Sequence, residues 1–486
     1  MKFNFLSKFN NMTFRLGTFI EKIKNLKKEN IYLVLALTLG LAMAVLNPPF
    51  DGVPDEHAHF WKAWSVAEGN LVCRPDNQIP QSAIDLPNQT VKVSVPEKGK
   101  RIVFQGFINQ LSKKDSGEMA TGGSAVCGAT PLGYMPQALG LKVGQILGLS
   151  ALGDFYLARI FNLIASVVLV YWAIRIIPFG KIILLLIGLL PMTIQQFASL
   201  GYDPLHIAST FLFIAYIVKL AYEKDRKITT KQIWALLAIA LLGFNVKIGY
   251  VALSLLVFAL PVSKFKNKKQ YWIFMIGFVL INLIIFAGVY KYFQGTVEAD
   301  AADSKINAAK QLAYVISHPI NFLHIFFNQI YNSFDFFLET TLFKSGWLKK
   351  SMPQLWYVAM IFGMVLFVKN SEEVVNLTRR QRFIFLTVFL ANFTISFLGL
   401  YLVWNNVGSD KIRGMQGRYF LGIFPLLLLF FYKADFSLKF DFIKKHTQML
   451  LIIFYLVMFF FVFQHIYEIY YDKSPKEVKD ISQEAK

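Results

Sequence analysis

Residues 383–403 read FIFLTVFLANFTISFLGLYLV, a run of 21 residues that contains no Asp, Glu, Lys or Arg. A helix that crosses the hydrocarbon core of a bilayer needs about 17 to 25 predominantly apolar residues, so this run predicts a transmembrane helix. Similar runs recur along the chain, and Arg159 is the one charged residue inside them. They lie at residues 31–47, 155–174, 182–200, 204–218, 232–246, 248–262, 271–290, 353–368, 419–432 and 447–464. The pattern predicts an all-α, polytopic membrane protein with about 11 transmembrane helices.

The composition of the chain favours the same class of protein. Of its 486 residues, 55% are hydrophobic and 16% are charged, and the mean hydropathy is +0.46. Soluble domains carry about a quarter charged residues, which excludes an ordinary cytosolic enzyme. The net charge of +20 would otherwise suggest nucleic acid, but nucleic-acid binders concentrate their charge on a solvated face and lack repeated runs of membrane length. The expected partner is therefore the lipid bilayer, and no nucleic acid.

The basic residues predict which way the chain faces, because cytoplasmic loops of membrane proteins are enriched in Lys and Arg. Residues 1–30 are basic and long, and no small-residue cleavage site follows Leu46, so the N-terminus is expected to form a cytoplasmic arm. With eleven spans counted from there, the cytoplasmic segments hold 26 Lys and Arg against 8 Asp and Glu. The long outer segments are then 48–154 and 291–352, within one integral membrane domain at 31–466 that is followed by a polar tail at 467–486.

Two further apolar stretches, 131–152 and 318–343, carry many Gly, Gln, Asn and His residues. Either one, counted alone as a span, would reverse the side of every later loop and remove the charge bias. We therefore expect them to form interfacial or partly inserted helices on the outer face. If both crossed the membrane, the total would rise to about 13 spans and the later loops would keep their sides.

Both cysteines of the chain, Cys73 and Cys127, lie in the first outer segment. An oxidising compartment would allow a disulfide between them, which would remove a few kcal/mol of entropy from the denatured state. Two unrelated cysteines are the alternative.

An acidic motif opens the first outer segment, where Pro54 is followed by Asp55 and Glu56. We expect a helix to begin there, with both carboxylates ionised in its first turn. An ionised carboxylate at the membrane surface can take a proton from an attacking hydroxyl or hold a divalent cation such as Mg²⁺ or Mn²⁺. His57 and His59 could complete a metal site, although their spacing matches no zinc-hydrolase pattern. Helix capping is the alternative role of the two carboxylates.

Charged residues elsewhere supply further candidates for a site. Asp203 precedes a proline where two spans meet, so it either caps a helix or belongs to the site. Arg159 lies at membrane depth, where charge is functional or part of a structural ion pair, for which Asp154 is near enough in sequence. Lys247, Arg413 and Arg418 lie in outer turns and could bind a phosphate group of the substrate.

These basic residues have less specific explanations as well. A lysine in a hairpin turn commonly extends its ammonium group to the membrane surface, and outer arginines can contact anionic lipid headgroups. The candidates nevertheless share the outer membrane boundary, whereas a transporter would carry ionisable groups near the bilayer midplane. The pattern favours an enzyme that acts on an amphiphilic phosphate.

Several motifs resemble the bacterial membrane proteins grouped as the domain of unknown function 2142 family. The resemblance is in order along the chain and covers roughly residues 48–430. The motifs are PPFDGVPDEHAHF at 48–60, AEG at 67–69, PLGYMPQA at 131–138, ARIFN at 158–162, LPMT at 190–193, SLGYD at 199–203 and QGRYF at 416–420.

That family is similar in layout to the GT-C glycosyltransferases. The resemblance implies transfer of a sugar from a polyprenyl-phosphate donor to a cell-envelope glycan, on the outer face of the bacterial cytoplasmic membrane. Asp55 or Glu56 would act as the general base or orient the acceptor, and basic residues further along would hold the donor phosphate. A lipid-linked glycan polymerase or ligase, a lipid flippase or transporter, and a non-catalytic scaffold are the alternatives.

Overall fold

The computed structural model describes the greater part of the chain, and nearly all of its regular structure is helical. The described residues are 26–94, 104–113, 117–122, 126, 129–223, 226–244, 249–294, 306–370, 377–432 and 440–471. Lys247 and Cys127, both singled out from the sequence, lie outside them. The phosphate contact of Lys247 and the disulfide therefore stay predictions, although the described Cys73 is buried and is not a free thiol.

The first part of the chain consists of one apolar helix and a folded segment of short elements. In order, these are α1 (Lys28–Leu46), α2 (Glu56–Ala67), β1 (Gln78–Pro80), α3 (Gln81–Ser94), α4 (Phe104–Ser112), β2 (Met119–Thr121), a 3₁₀ turn (Pro131–Tyr134) and α5 (Met135–Ile146). Strands β1 and β2 pair antiparallel, with Gln78 opposite Thr121.

The middle of the chain contains a run of apolar helices. These are α6 (Ala151–Ile176), α7 (Lys181–Gly188), α8 (Pro191–Phe197), α9 (Asp203–Tyr222), α10 (Thr230–Gly243), two 3₁₀ segments (Val251–Ala259 and Val262–Lys264) and α11 (Lys268–Gln294). Helices α1, α6 and α9 pack together around α7 and α8, whose residues are almost all buried.

The last part begins with short helices and ends in long apolar ones. It comprises α12 (Ala308–Ser317), α13 (Pro319–Asn332), α14 (Phe334–Leu342), the hairpin of β3 (Lys344–Ser345) and β4 (Lys350–Ser351), α15 (Gln354–Lys369), α16 (Arg379–Trp404), a 3₁₀ turn (Gly417–Phe420), α17 (Phe424–Phe431) and α18 (Asp441–Tyr470).

Six of the described helices are long and apolar enough to cross a membrane: α1, α6, α9, α11, α16 and α18. Each of them coincides with a run predicted from the sequence, so a helical protein with several candidate spans is confirmed. Helices α10 and α15 are apolar but shorter, at 14 and 16 residues. The total of about 11 spans stays a prediction, because the other runs form elements below the usual spanning length.

The predicted span at 182–200 does not form one regular helix. It divides into α7 and α8, with Pro191 at the first position of the second helix. Proline lacks a backbone N–H and its ring clashes with the preceding helical turn, so a helix ends before it. Apolar composition alone does not reveal this break.

The stretches 131–152 and 318–343 also contain no spanning helix. The first holds α5 with 12 residues, and the second is interrupted at Ser333 between α13 and α14. At a rise of about 1.5 Å per residue these helices are too short to cross a bilayer of about 30 Å, and their interfacial location stays a prediction.

Candidate functional site

Asp55 has an unusual backbone conformation at the start of α2. Its φ of 59° lies in the left-handed region, and its side chain makes no capping hydrogen bond. Asp tolerates this conformation better than most residues, but it still costs about 1 kcal/mol or more. The sequence predicted a helix that begins at Pro54 with Asp55 in its first turn, whereas α2 begins at Glu56. The Asp55 carboxylate is exposed and does not cap the helix.

Glu56 has the opposite environment, because its side chain is fully buried and forms an ion pair with the equally buried Arg159. Two parallel bonds join the groups, from Nη2 to Oε2 at 2.5 Å and from Nε to Oε1 at 2.9 Å. The sequence had suggested Asp154 as the partner of Arg159, on grounds of proximity. That pairing is wrong, because the chain folds α2 back over α6 and brings Glu56 to the guanidinium.

The ion pair fixes two loops at once. Arg159 Nη1 donates to the carbonyl oxygens of Ala44 and Asn47, at 2.8 and 2.7 Å. Glu56 accepts from the backbone N–H groups of Phe50 and Leu200, at 3.2 and 3.3 Å. A buried carboxylate with this many donors is committed to structure, so Glu56 positions the loops on either side of it.

Two buried amides complete this support, and the sequence analysis did not single them out. Gln137 Nε2 donates to the Gly201 carbonyl at 2.6 Å, and Asn162 Nδ2 donates to the Ser199 carbonyl at 2.7 Å. Gln137 lies in the PLGYMPQA motif and Asn162 lies in the ARIFN motif. Membership of these motifs was the signal in the sequence that could have identified them. Their bonds hold the loop immediately before Asp203.

A partly exposed polar surface adjoins this buried support. His59 Nδ1 lies 2.7 Å from the Tyr134 hydroxyl, and the rings of His59, Tyr134 and Tyr202 are all within 6 Å of one another. Asp203 begins α9 directly after Tyr202. Burial and then the negative charge of Asp203 raise the pKa of Tyr202 well above its ordinary value. The hydroxyl of Tyr202 therefore stays protonated and can donate a hydrogen bond.

Arg418 contributes the positive charge of this surface. Its guanidinium is nearly buried, donates to Gln416 Oε1 at 2.6 Å and to Gln196 Oε1 at 3.3 Å, and lies 5.5 Å from the Tyr419 ring. The positive charge of Arg418 lowers the pKa of Tyr202, whereas the negative charges of Asp203 and Asp55 raise it. All three charges therefore act on the same hydroxyl. We call Asp55, His59, Tyr202, Asp203 and Arg418 the Asp55 surface.

Arg413 does not share this environment. It is exposed in the loop after α16, where its backbone N–H donates to Asn405 Oδ1 at 2.9 Å. The two arginines predicted to bind phosphate are thus unequal, and Arg418 alone joins the Asp55 surface.

The β3–β4 hairpin covers the acidic loop from another side. Trp347 Nε1 donates to the Phe50 carbonyl at 3.1 Å, and the Trp347 ring lies parallel to that of His57 at 6.3 Å. Phe50 and Trp347 both have positive φ angles, of 64° and 53°. Strained backbone conformations of this kind persist where many surrounding contacts hold them in place, and they are found most often at functional sites.

A cavity of about 610 Å³ lies between α13, α14, α15, α16 and α17. Its lining is almost wholly aliphatic and aromatic, and it includes Phe420 and Lys369. Along α15 it reaches from Ile361 to Lys369, a distance of about 12 Å. Gly417 lies so close to the Phe337 carbonyl that a side chain would not fit, which brings the Arg418 turn directly against α14.

No three His, Cys, Asp or Glu side chains within the described residues gather closely enough to hold a metal ion. A bound divalent cation therefore stays a prediction.

Comparison with known proteins identifies a family and no relative of known activity. No match was found among curated proteins or among solved structures. One family model matches residues 37–427, which is most of the chain and includes every residue of the Asp55 surface. The chain therefore belongs to the family described as predicted membrane proteins, domain of unknown function 2142.

Proposed function

We propose that this protein transfers a sugar from a polyprenyl-phosphate donor to a cell-envelope glycan. The observation that carries the proposal is the apolar cavity whose lining includes Phe420, which lies two residues along the chain from the buried Arg418. A polyprenyl phosphate has the same two parts, a long apolar chain and an anionic head. Binding pockets for small molecules have volumes of about 300 to 1,000 Å³, so this cavity suits several isoprene units.

Arg418 is proposed to bind the donor phosphate. A guanidinium forms two parallel hydrogen bonds with phosphate, and its partial burial makes each bond stronger than in water. The present acceptors, Gln416 and Gln196, are neutral amides that satisfy the cation without neutralising it. A phosphate oxygen would add a charged acceptor to these two neutral ones.

Asp55 is proposed as the general base. It would take the proton of the acceptor hydroxyl while that oxygen attacks the anomeric carbon of the donor sugar. The bond from the anomeric carbon to the phosphate oxygen would break, and polyprenyl phosphate would leave with the electron pair, stabilised by Arg418. Glu56 is committed to Arg159, which is why Asp55 is preferred. Asp203 is the second candidate, since it lies on the same surface.

The predicted topology assigns this chemistry to the extracytoplasmic side of a bacterial cytoplasmic membrane, with the N-terminus in the cytoplasm. The reason is the Lys and Arg bias of the opposite loops. The ion pair of Glu56 and Arg159 favours a structural role for these two buried charges over a role in ion transport.

The test uses the purified full chain in lipid nanodiscs with a radiolabelled, short-chain polyprenyl-phosphate sugar. Arg418→Met should weaken donor binding by about 10- to 100-fold, because a charge-assisted pair contributes roughly 1.5 to 3 kcal/mol. Arg413→Met is the matched control, since it removes an exposed arginine five residues earlier. The proposal would be contradicted if the wild type bound the donor and neither variant changed the affinity.

The same assay separates the alternative enzymes. A lipid-linked glycan polymerase or ligase would bind a donor that carries an assembled glycan and would leave the single-sugar donor unused. A flippase would move labelled lipid between leaflets without forming a glycosidic bond.

A further inference from the structure

Helix α13 has three distinct faces. Phe322, Ile325 and Phe326 are buried against the rest of the protein. A second face is apolar and exposed, and a third is polar and exposed. The exposed apolar residues, continuing into α14, are Ile320, Leu323, Phe327, Tyr331 and Phe334. The exposed polar residues are Asn321, His324, Asn328 and Asn332.

Both exposed stripes advance in steps of three or four residues, so each follows the helix axis. A helix that presents one apolar and one polar stripe to its surroundings lies in the plane of the membrane interface, with the apolar stripe in the lipid. The polar stripe of α13 then faces water.

This polar stripe forms one wall of a second cavity, of about 560 Å³. The opposite wall is the loop after α16, which contributes Gly408, Asp410 and Lys411. The two walls are tied together, because the backbone N–H of Ile412 donates to Gln329 Oε1 at 3.2 Å. We call this cavity the amide cleft.

The chemistry of the amide cleft differs from that of the Asp55 surface. Asp410 and Lys411 carry opposite charges and are both exposed, and no described residue of the lining is a buried arginine like Arg418. Four of its ten lining residues are Asn or Gln, whose side chains each offer both donors and acceptors. Neighbouring hydroxyl groups on a sugar ring require this combination.

An aromatic pair lies at one edge of the cleft. The Tyr314 and His318 rings stack at 4.7 Å, and the Tyr314 hydroxyl accepts from Asn321 Nδ2 at 2.6 Å. Tyr314 also packs beside Gly408, where a Cβ atom would lie 3.7 Å from the ring. Aromatic faces next to hydrogen-bonding side chains suit the apolar faces of sugar rings.

We infer that the amide cleft binds the carbohydrate acceptor of the transfer reaction, an inference that rests on the proposed function. The loop that forms one wall continues to the other site, and Arg418 is the seventh residue after Lys411. This path spans at most about 25 Å, a length that a short oligosaccharide can bridge. The cleft would hold the body of the glycan while its growing end reaches Asp55.

The experiment measures binding without turnover. The full chain in nanodiscs is titrated with short oligosaccharides released from the envelope of cells that express it, and separately with the short-chain polyprenyl-phosphate sugar. The double variant Asn328→Leu with Asn332→Leu replaces two exposed amides by apolar groups of similar size. Asn406→Leu is the matched control, because it changes an exposed asparagine of the adjacent loop that does not line the cleft.

The double variant should weaken oligosaccharide binding about tenfold or more and leave donor binding and the Asn406→Leu control unchanged. In the transfer assay it should raise KM for the acceptor and change kcat little. If the wild type binds no oligosaccharide, or if both variants bind it equally, the cleft is not an acceptor site. If only donor binding weakens, the cleft holds the donor sugar and the inference is wrong. Oligosaccharide binding without any transfer would contradict the proposed function and leave the cleft assignment intact.

Discussion

Asp55 and Glu56 are adjacent in the sequence and belong to opposite regions of the site. Glu56 lies in a buried cluster with Arg159, Gln137 and Asn162, where its carboxylate oxygens accept from side-chain and backbone donors. Asp55 lies on a partly exposed surface with a strained backbone and a carboxylate that does not cap its helix. The difference supports a division of labour, in which the buried cluster holds the loops and the Asp55 surface is the proposed location of the chemistry.

The largest expected effect comes from breaking the buried cluster. Arg159→Met should lower the free energy of unfolding by about 3 to 5 kcal/mol, because Glu56 would remain buried and unpaired. Thermal unfolding and the yield of purified protein would report this loss. Arg175→Met, at the exposed end of the same helix, should change neither.

A double-mutant cycle sharpens that prediction. Glu56→Gln combined with Arg159→Met should cost less than the sum of the two single variants, because no uncompensated charge is left. Strict additivity would mean that the two groups do not depend on each other.

The Asp55 surface should respond in the opposite way. Asp55→Asn should lower the rate of sugar transfer by about 10²- to 10⁴-fold, the usual contribution of a general base, with no loss of thermal stability. Radiolabel transfer and a melting curve on the same sample would separate the two quantities. Full activity in this variant, with loss of activity in Asp203→Asn, would move the base to the second carboxylate.

Lys62 of α2 should make the stability of the protein depend on pH. It is fully buried with its ammonium 3.5 Å from the Cys73 sulfur, and burial lowers its pKa to about 8. The unfolded chain keeps this proton up to about pH 10.5, so stability should rise as the pH increases from about 8 to 10.5. The gain is at most about 3 kcal/mol. Lys62→Met should be more stable than the wild type at pH 7, and its melting temperature should lack this rise.

The smallest expected effect concerns the backbone of Asp55. Glycine adopts a φ of 59° without steric cost, so Asp55→Gly should raise the free energy of unfolding by about 1 kcal/mol while it removes activity. Asp76→Gly, at an exposed turn residue outside the positive-φ positions, is the control and should not stabilise the protein. A destabilised Asp55→Gly variant would mean that the carboxylate supports the fold.

The sequence predicted more about the membrane segments than about the site. Apolar runs coincide with the six long apolar helices, because a bilayer core selects for length and apolar composition, and both can be counted along a chain. The break at Pro191 and the partner of Arg159 were not predicted correctly. The helix break depends on one proline ring within an apolar run. The ion pair of Arg159 joins residues that lie 103 positions apart in the chain.

The sequence by itself determined that this chain is a helical membrane protein, and it drew attention to the acidic motif and the outer arginines. Only the tertiary structure decided which of two adjacent carboxylates is committed to the fold, and which of two nearby arginines joins the acidic surface. The physical reason is that burial and hydrogen bonding arise between segments distant in the chain. Glu56 receives its donors from α6 and from the loop before α9, and no local pattern in residues 48–60 specifies those contacts.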